Sequence, residues 1–515
     1  MLGMVKAVRR SHGLHRTLAF AGCAAAALGG LGAQSASAVT IFNGNLVVSS
    51  LTYTGNASTV MIGQTLPGGG TAIANGSYPN VFANDTVDPS FGVTAPYSLQ
   101  VFQTGNHNTT ATLTNTVALP SNNFVGSFSS KSEGALNLST DGKSLTLMGY
   151  VSTPNQLDVS NSNTPGHVDP TTPVMSSSPR AVEQINFNGS IETTPVNIYS
   201  GNNGRAAILA NGQYYTVGNA GNGSGNQPAN IINNTGVQLA TPGTGQTTKV
   251  GTFSVTQVGD KADKAGKDDN YRGETIFNNT LYVTKGSGSN GIDTVYQVGA
   301  AGTLPTAGDA ASTQISILPG FSTSLAKSNG DGGFFPFGIW FANASTLYVA
   351  DEGDGTMDDP GTDANAGLEK WSLVGGTWKL DYTLQNGLGL GVSYGVAGYP
   401  TNLDPMTDGL RNITGQINAD GTVTIYGVTS TVSASGDPGA DPNRLVAIND
   451  LVADTTLPTN ESFSVLETAG FGQVLRGVSL APVPEPATWA MMLMGFGGLG
   501  ALLRSARRRE ASLTV

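Results

Sequence analysis

Ala206-Ala207-Ile208-Leu209-Ala210-Asn211-Gly212-Gln213-Tyr214-Tyr215-Thr216-Val217 reads as two short apolar or aromatic runs around an Asn-Gly pair. Both central residues of such a pair tolerate positive φ, so the segment predicts a tight β-hairpin. The same arrangement recurs. Upstream, Ala135–Leu138 and Ser144–Leu147 flank Asp141-Gly142. Downstream, Thr275–Phe277 and Thr280–Val283 flank Asn278-Asn279, and Gly338–Phe341 and Thr346–Val349 flank Asn343. Thr414–Ile417 and Thr422–Ile425 around Asp420-Gly421 complete the series, with turns spaced by 65 to 77 residues. Two hairpins are followed by two more strand candidates each: Asp293–Val298 with Gln314–Leu318, and Leu368–Leu373 with Trp378–Leu384. Four antiparallel strands per unit, repeated in series, is the pattern of a β-propeller.

The ends of this series predict ring closure. Arg476–Leu480 looks like a first strand with no partners after it, and Asn45–Ser50 like a second strand lacking its first. Pairing them completes one blade from both termini and removes exposed sheet edges. The expectation is an all-β fold: a single β-propeller over residues 39–481, six blades, closed by N- and C-terminal strands, plus a C-terminal transmembrane helix. The blades begin near Gly134, Arg205, Arg272, Phe337 and Arg411, with one shared. Asn56–Phe124 is too loose to assign, which leaves seven blades open. A β-sandwich array would show strands every 8–12 residues throughout, and a β-helix a much shorter period.

Both termini carry targeting signals. Lys6, Arg9, Arg10 and Arg16 precede an apolar stretch, Thr17 to Ala33, and Ala36-Ser37-Ala38 is a small-x-small cleavage site, so residues 1–38 read as a signal peptide handled by the Sec translocon. Cys23 leaves with it, and the exported part then holds no cysteine. At the other end, Val483-Pro484-Glu485-Pro486 is stiff and extended, because each proline fixes its φ and restricts the residue before it. Residues 487–503 are uncharged and mostly apolar, roughly 25 Å of helix, and Arg504, Arg507, Arg508 and Arg509 form a basic stop. This order resembles the PEP-CTERM sorting signal of Gram-negative bacteria over residues 482–509. The resemblance implies that exosortase, a membrane-embedded processing enzyme, recognises Pro484, Glu485 and Pro486. It implies a protein held in the inner membrane by one C-terminal helix before processing, then placed in the cell envelope or outside the cell. It also implies an exopolysaccharide or biofilm-matrix setting.

Eight of the 24 Lys and Arg, and one of the 35 Asp and Glu, lie in the terminal signals, so the exported part has net charge −18. That excludes nucleic acid as a partner, since binding it requires a basic surface. No catalytic constellation emerges, which leans against an enzyme. His107 and His167 stand in separate loop segments with no second histidine at ligand spacing. Calcium is the one cofactor for which ligands are offered: Asp351, Glu352 and Asp354 follow a strand directly, with Asp358, Asp359 and Asp363 beyond. The alternative is a solvated acidic loop.

Arg205, Arg272, Arg411 and Arg476 each stand at the entry to a predicted innermost strand, where a propeller places them around one channel mouth. They are candidates for binding an anion such as an acidic exopolysaccharide. The alternative is that each braces its own inter-blade loop, with Glu133 or Glu274 supplying the neutralising charge. The function expected is a binding or structural protein of the envelope or matrix. A metal-dependent propeller hydrolase of the lactonase or phosphoesterase type, and an ice-binding surface protein, are the competing readings.

Overall fold

The computed structural model describes residues 41–483, apart from 57, 75, 79–82, 85–91, 106–109, 222–226, 329–332, 358–360 and 438. The signal peptide, the Pro-Glu-Pro segment, the apolar stretch 487–503 and the arginine stop lie outside the described residues, as does His107. Among the described residues no helix is long and apolar enough to cross a membrane.

Six four-stranded antiparallel sheets form six propeller blades. Blade one is shared between the termini: from the axis outward it runs Gln473–Leu480, Leu46–Thr52, Tyr97–Thr104, Ala111–Ala118. Leu46 pairs with Leu480 and Thr52 with Gln473, with a bulge between Val48 and Ser50. Blades two to six take their innermost strands from Asn137–Leu138, Gly204–Ala210, Glu274–Phe277, Pro336–Asn343 and Met406–Ile417. The loose stretch Asn56–Phe124 makes no seventh blade. It supplies the two outer strands of blade one, a short ribbon of Ala72–Ile73 with Ala83–Asn84, and Thr94–Ala95, which pairs with Gly126–Ser127 just beyond it.

The hairpin turns follow from their residues. Asn211 (φ 50°) and Gly212 (φ 73°), and Asn278 (φ 47°) and Asn279 (φ 55°), occupy the left-handed region that a two-residue hairpin turn requires. The second strands of the blades are buried on both faces because each blade is sandwiched between two others. Successive strand residues point to opposite faces. In blade five, Leu347 and Val349 therefore pack toward blade four, while Tyr348 and Ala350 pack toward blade six. In blade one, Val47 and Leu51 face blade two, and Leu46 and Val48 face blade six. The buried clusters between neighbouring blades together form one circular core.

Candidate functional site

The innermost strands touch edge to edge at one level of the channel, and that level defines equivalent positions. Gly273 packs so closely on the Phe337 carbonyl that a Cβ would lie 2.1 Å from its oxygen. Gly338 meets the Arg411 carbonyl in the same way, and Gly477 meets the Gly134 carbonyl. Asn412 donates its side-chain amide to the Arg476 carbonyl at 2.7 Å. The residue just before each contact is thus the same position in successive blades: Gly134, Arg272, Phe337, Arg411 and Arg476, with Arg205 preceding Ala206 in blade three. The four arginines of the sequence reading occupy one layer, and all are buried.

Their partners differ. Arg476 donates through Nη2 to the carbonyls of Phe128 and, at 2.8 Å, Gly439. Arg205 donates through Nη1 to Asn270 Oδ1 and the Tyr271 carbonyl, both at 2.5 Å, which seats it beside Arg272. Arg411 Nε meets Glu352 Oε2 at 3.0 Å. Among the described residues Arg272 donates no side-chain hydrogen bond, although only 8% of it is exposed. Glu352, at the end of the second strand of blade five, also receives Lys131 Nζ at 3.9 Å. Burial alone would raise the Glu352 carboxyl, but Lys131, Arg411 and Arg272 together hold it below the usual glutamate range. Burial pushes Arg205 well below the ordinary arginine range, and the Arg272 charge adds to this. Burial and the neighbouring Arg411 bring Arg476 down to about 10.

Lys131 was not singled out from sequence. It belongs to the segment 127–134 that enters blade two, and this segment lies across the arginine end of the channel. Ser130 accepts from Asn203 of the loop before blade three at 2.6 Å, Arg476 of blade one holds the Phe128 carbonyl, and Lys131 reaches blade five. Glu133 is turned elsewhere: it accepts from Ser127 N at 3.0 Å and from the Tyr150 hydroxyl. Glu274 is buried with neither carboxylate oxygen hydrogen-bonded, and burial raises its pKa far above the usual range. Neither contacts a ring arginine. The neutralising carboxylate is Glu352.

One residue past the arginine layer the channel widens into a cavity of about 230 Å³, walled by the inner strands of all six blades. None of the four arginines lines it. Trp340, Asn137, Ser139, Thr275, Thr414 and Ser479 do. Trp340 lies flat on Gly415, where a Cβ would sit 2.7 Å from the indole. The chain leaves the ring at this end, with Ala481 N bonded to the Asn45 carbonyl and Val483 N to the Gly142 carbonyl, each at 3.0 Å.

Asp351, Glu352 and Asp354 do not converge, and Asp358 and Asp359 lie outside the described residues. Asp351 points into the blade and accepts from Phe335 N at 2.6 Å and Gly353 N at 2.9 Å. Glu352 belongs to the arginine layer, and exposed Asp354 holds Thr356 N at 2.8 Å. Among the described residues no three Asp, Glu, His or Cys side chains are grouped as metal ligands. His167 stands apart, its Nδ1 3.2 Å from the Asn230 carbonyl.

The chain that leaves the ring beside Gly142 runs directly into residues 482–509, which match the family model described as the PEP-CTERM protein-sorting motif. The protein is a propeller carrying a PEP-CTERM motif. The motif implies an exported protein with a C-terminal membrane-anchoring region that exosortase processes. The sequence matches no curated protein. Among solved structures, a chain of a nidogen–laminin complex is 12% identical, with 76% of this chain and 97% of that one covered at a TM-score of 0.34. The parainfluenza virus 5 hemagglutinin-neuraminidase ectodomain is 10% identical, with 78% of each covered at 0.31. Cobalt-substituted Synechocystis ACO is 9% identical, with 78% and 74% covered at 0.34.

Proposed function

We propose that this exported propeller is a binding and structural protein of the cell envelope or extracellular matrix, associated with exopolysaccharide, and not an enzyme. The observation that carries the reading is the cavity at the tail-side end of the channel. It offers one half-buried indole, Trp340, beside the half-buried hydroxyls of Thr275 and Thr414, while Ser139, Ser479 and Asn137 line it with side chains that bond within the protein. An aromatic face with a few convergent polar groups suits a sugar, whose ring is apolar on its faces and hydroxylated at its edge. The cavity has a volume of about 230 Å³. Retention of the full detergent-solubilised chain on immobilised alginate, compared with neutral dextran, tests this. Native protein should be retained on alginate, and Trp340→Ala should weaken retention at least about tenfold, as loss of an aromatic anchor does. Equal elution of both proteins from both columns would overturn the reading.

A further inference from the structure

Arg272 is out of keeping with the other buried arginines. Arg180, fully buried in blade two, donates to the carbonyls of Ser160, Ser162, Ser178 and Asn202 at 2.6 to 3.0 Å, so its N–H groups are matched. Arg272, 8% exposed, has no acceptor among the described residues, and its Nε–H, like those of Arg205 and Arg476, is buried without one. A buried cation left without a hydrogen-bonded counter-charge is among the costlier arrangements a fold can hold.

The surrounding charges do not correct this. Among the described residues the layer's arginines form an ion pair with one carboxylate, Glu352, already shared by Arg411 and Lys131. Asp293 is engaged by Lys285 at 2.5 Å, Asp408 by Gly355 N at 3.0 Å and Glu133 by Tyr150 and Ser127. Arg205 uses only Nη1, and Arg411 only Nε. Planar N–H donors on blades three, four and six therefore stand free in one layer around the channel, beside the segment 127–134. The arrangement of forked donors around an excess of positive charge is that of a site for a planar or tetrahedral oxyanion.

We propose that the arginine layer binds one small oxyanion, held by Arg272 with the free donors of Arg205 and Arg411, at the end of the channel opposite the tail. The ligand is a phosphate- or sulfate-like ion or the carboxylate of a single acidic sugar. None of these arginines lines the cavity beside Trp340, so this site is separate from it.

Thermal unfolding of the full chain in detergent distinguishes the outcomes. The midpoint should rise by a few degrees, saturably, with sodium phosphate or sodium sulfate, as binding to the folded state alone requires. Galacturonate in place of phosphate identifies the carboxylate source. Arg272→Gln should raise the anion-free midpoint, because an unmatched buried charge is removed, and should abolish the anion-dependent rise. Arg272→Lys should keep a weakened rise. Glu352→Gln should lower the half-saturating phosphate concentration by roughly tenfold or more, since it removes a competing negative charge. The proposal is overturned if sodium chloride at equal ionic strength gives the same rise, if native protein shows none, or if Arg272→Gln retains it in full.

Discussion

At the scale of single residues, burial governs the charges. Burial holds the Asp408 carboxyl up at about 7, with Asp354 and Glu352 adding to the effect. Burial likewise raises Glu183 to about 7, and Asp441 and Asp268 to about 6. Unfolded carboxyls titrate near 4, so between about pH 4 and pH 7 the folded chain holds protons that the unfolded chain has released. Stability from these groups is present in full below about pH 4 and is lost as pH rises through 6 to 7. Glu352, held below its ordinary value, works in the other direction, and its contribution is lost as pH falls. The melting midpoint is therefore expected to be higher at pH 5 than at pH 8, and Asp408→Asn should flatten that slope. A midpoint rising steadily from pH 5 to pH 8 would contradict it.

At the scale of elements, the blades hold one another through close backbone contact near the axis and side-chain packing farther out. Between blades five and six the packing includes a fully buried ion pair, Lys370 Nζ to Asp450 Oδ2 at 2.8 Å, with the Tyr382 hydroxyl donating to Asp450 at 2.6 Å. Near the axis the contacts require glycine. A Cβ at Gly477 would stand 2.1 Å from Leu136 N and 2.6 Å from the Gly134 oxygen, both backbone atoms with little room to yield. Gly477→Ala is expected to cost on the order of 3 kcal/mol by forcing the ring-closing strand away from blade two. Gly470→Ala is the control, because a Cβ there meets nothing within 4 Å. Urea unfolding of the two variants should separate them clearly; matched curves would mean that the ring relaxes at no cost.

At the scale of the whole molecule, the closing strand Gln473–Leu480 ends two residues before the sorting motif. Processing within or beyond Pro484–Pro486 would leave every blade intact, so the propeller should be a complete passenger after release. Glu485→Ala is expected to leave the chain in the inner membrane with an unchanged melting midpoint. Fractionation that finds this variant processed and outside the cell would reduce Pro-Glu-Pro to a spacer.

The blade pattern was legible because local chemistry carried it. Asn211-Gly212 and Asn278-Asn279 dictate their turns through backbone sterics alone, and β-branched runs on either side have no better use than strands. The sorting motif was legible for the same reason, since its prolines, apolar run and arginines act through their own neighbourhood. The arginine positions were legible as a series, because ring closure makes sequence repeats into a spatial layer. The identity of their partners was not. Glu352 reads in sequence as one member of an acidic loop, yet Asp351, Glu352 and Asp354 take different directions once a strand end separates them. Lys131 reads as one more loop cation, and only the path of 127–134 across the channel brings it to Glu352. Which charges meet depended on how six sheets pack around one axis, a property of long-range contacts that no local stretch encodes.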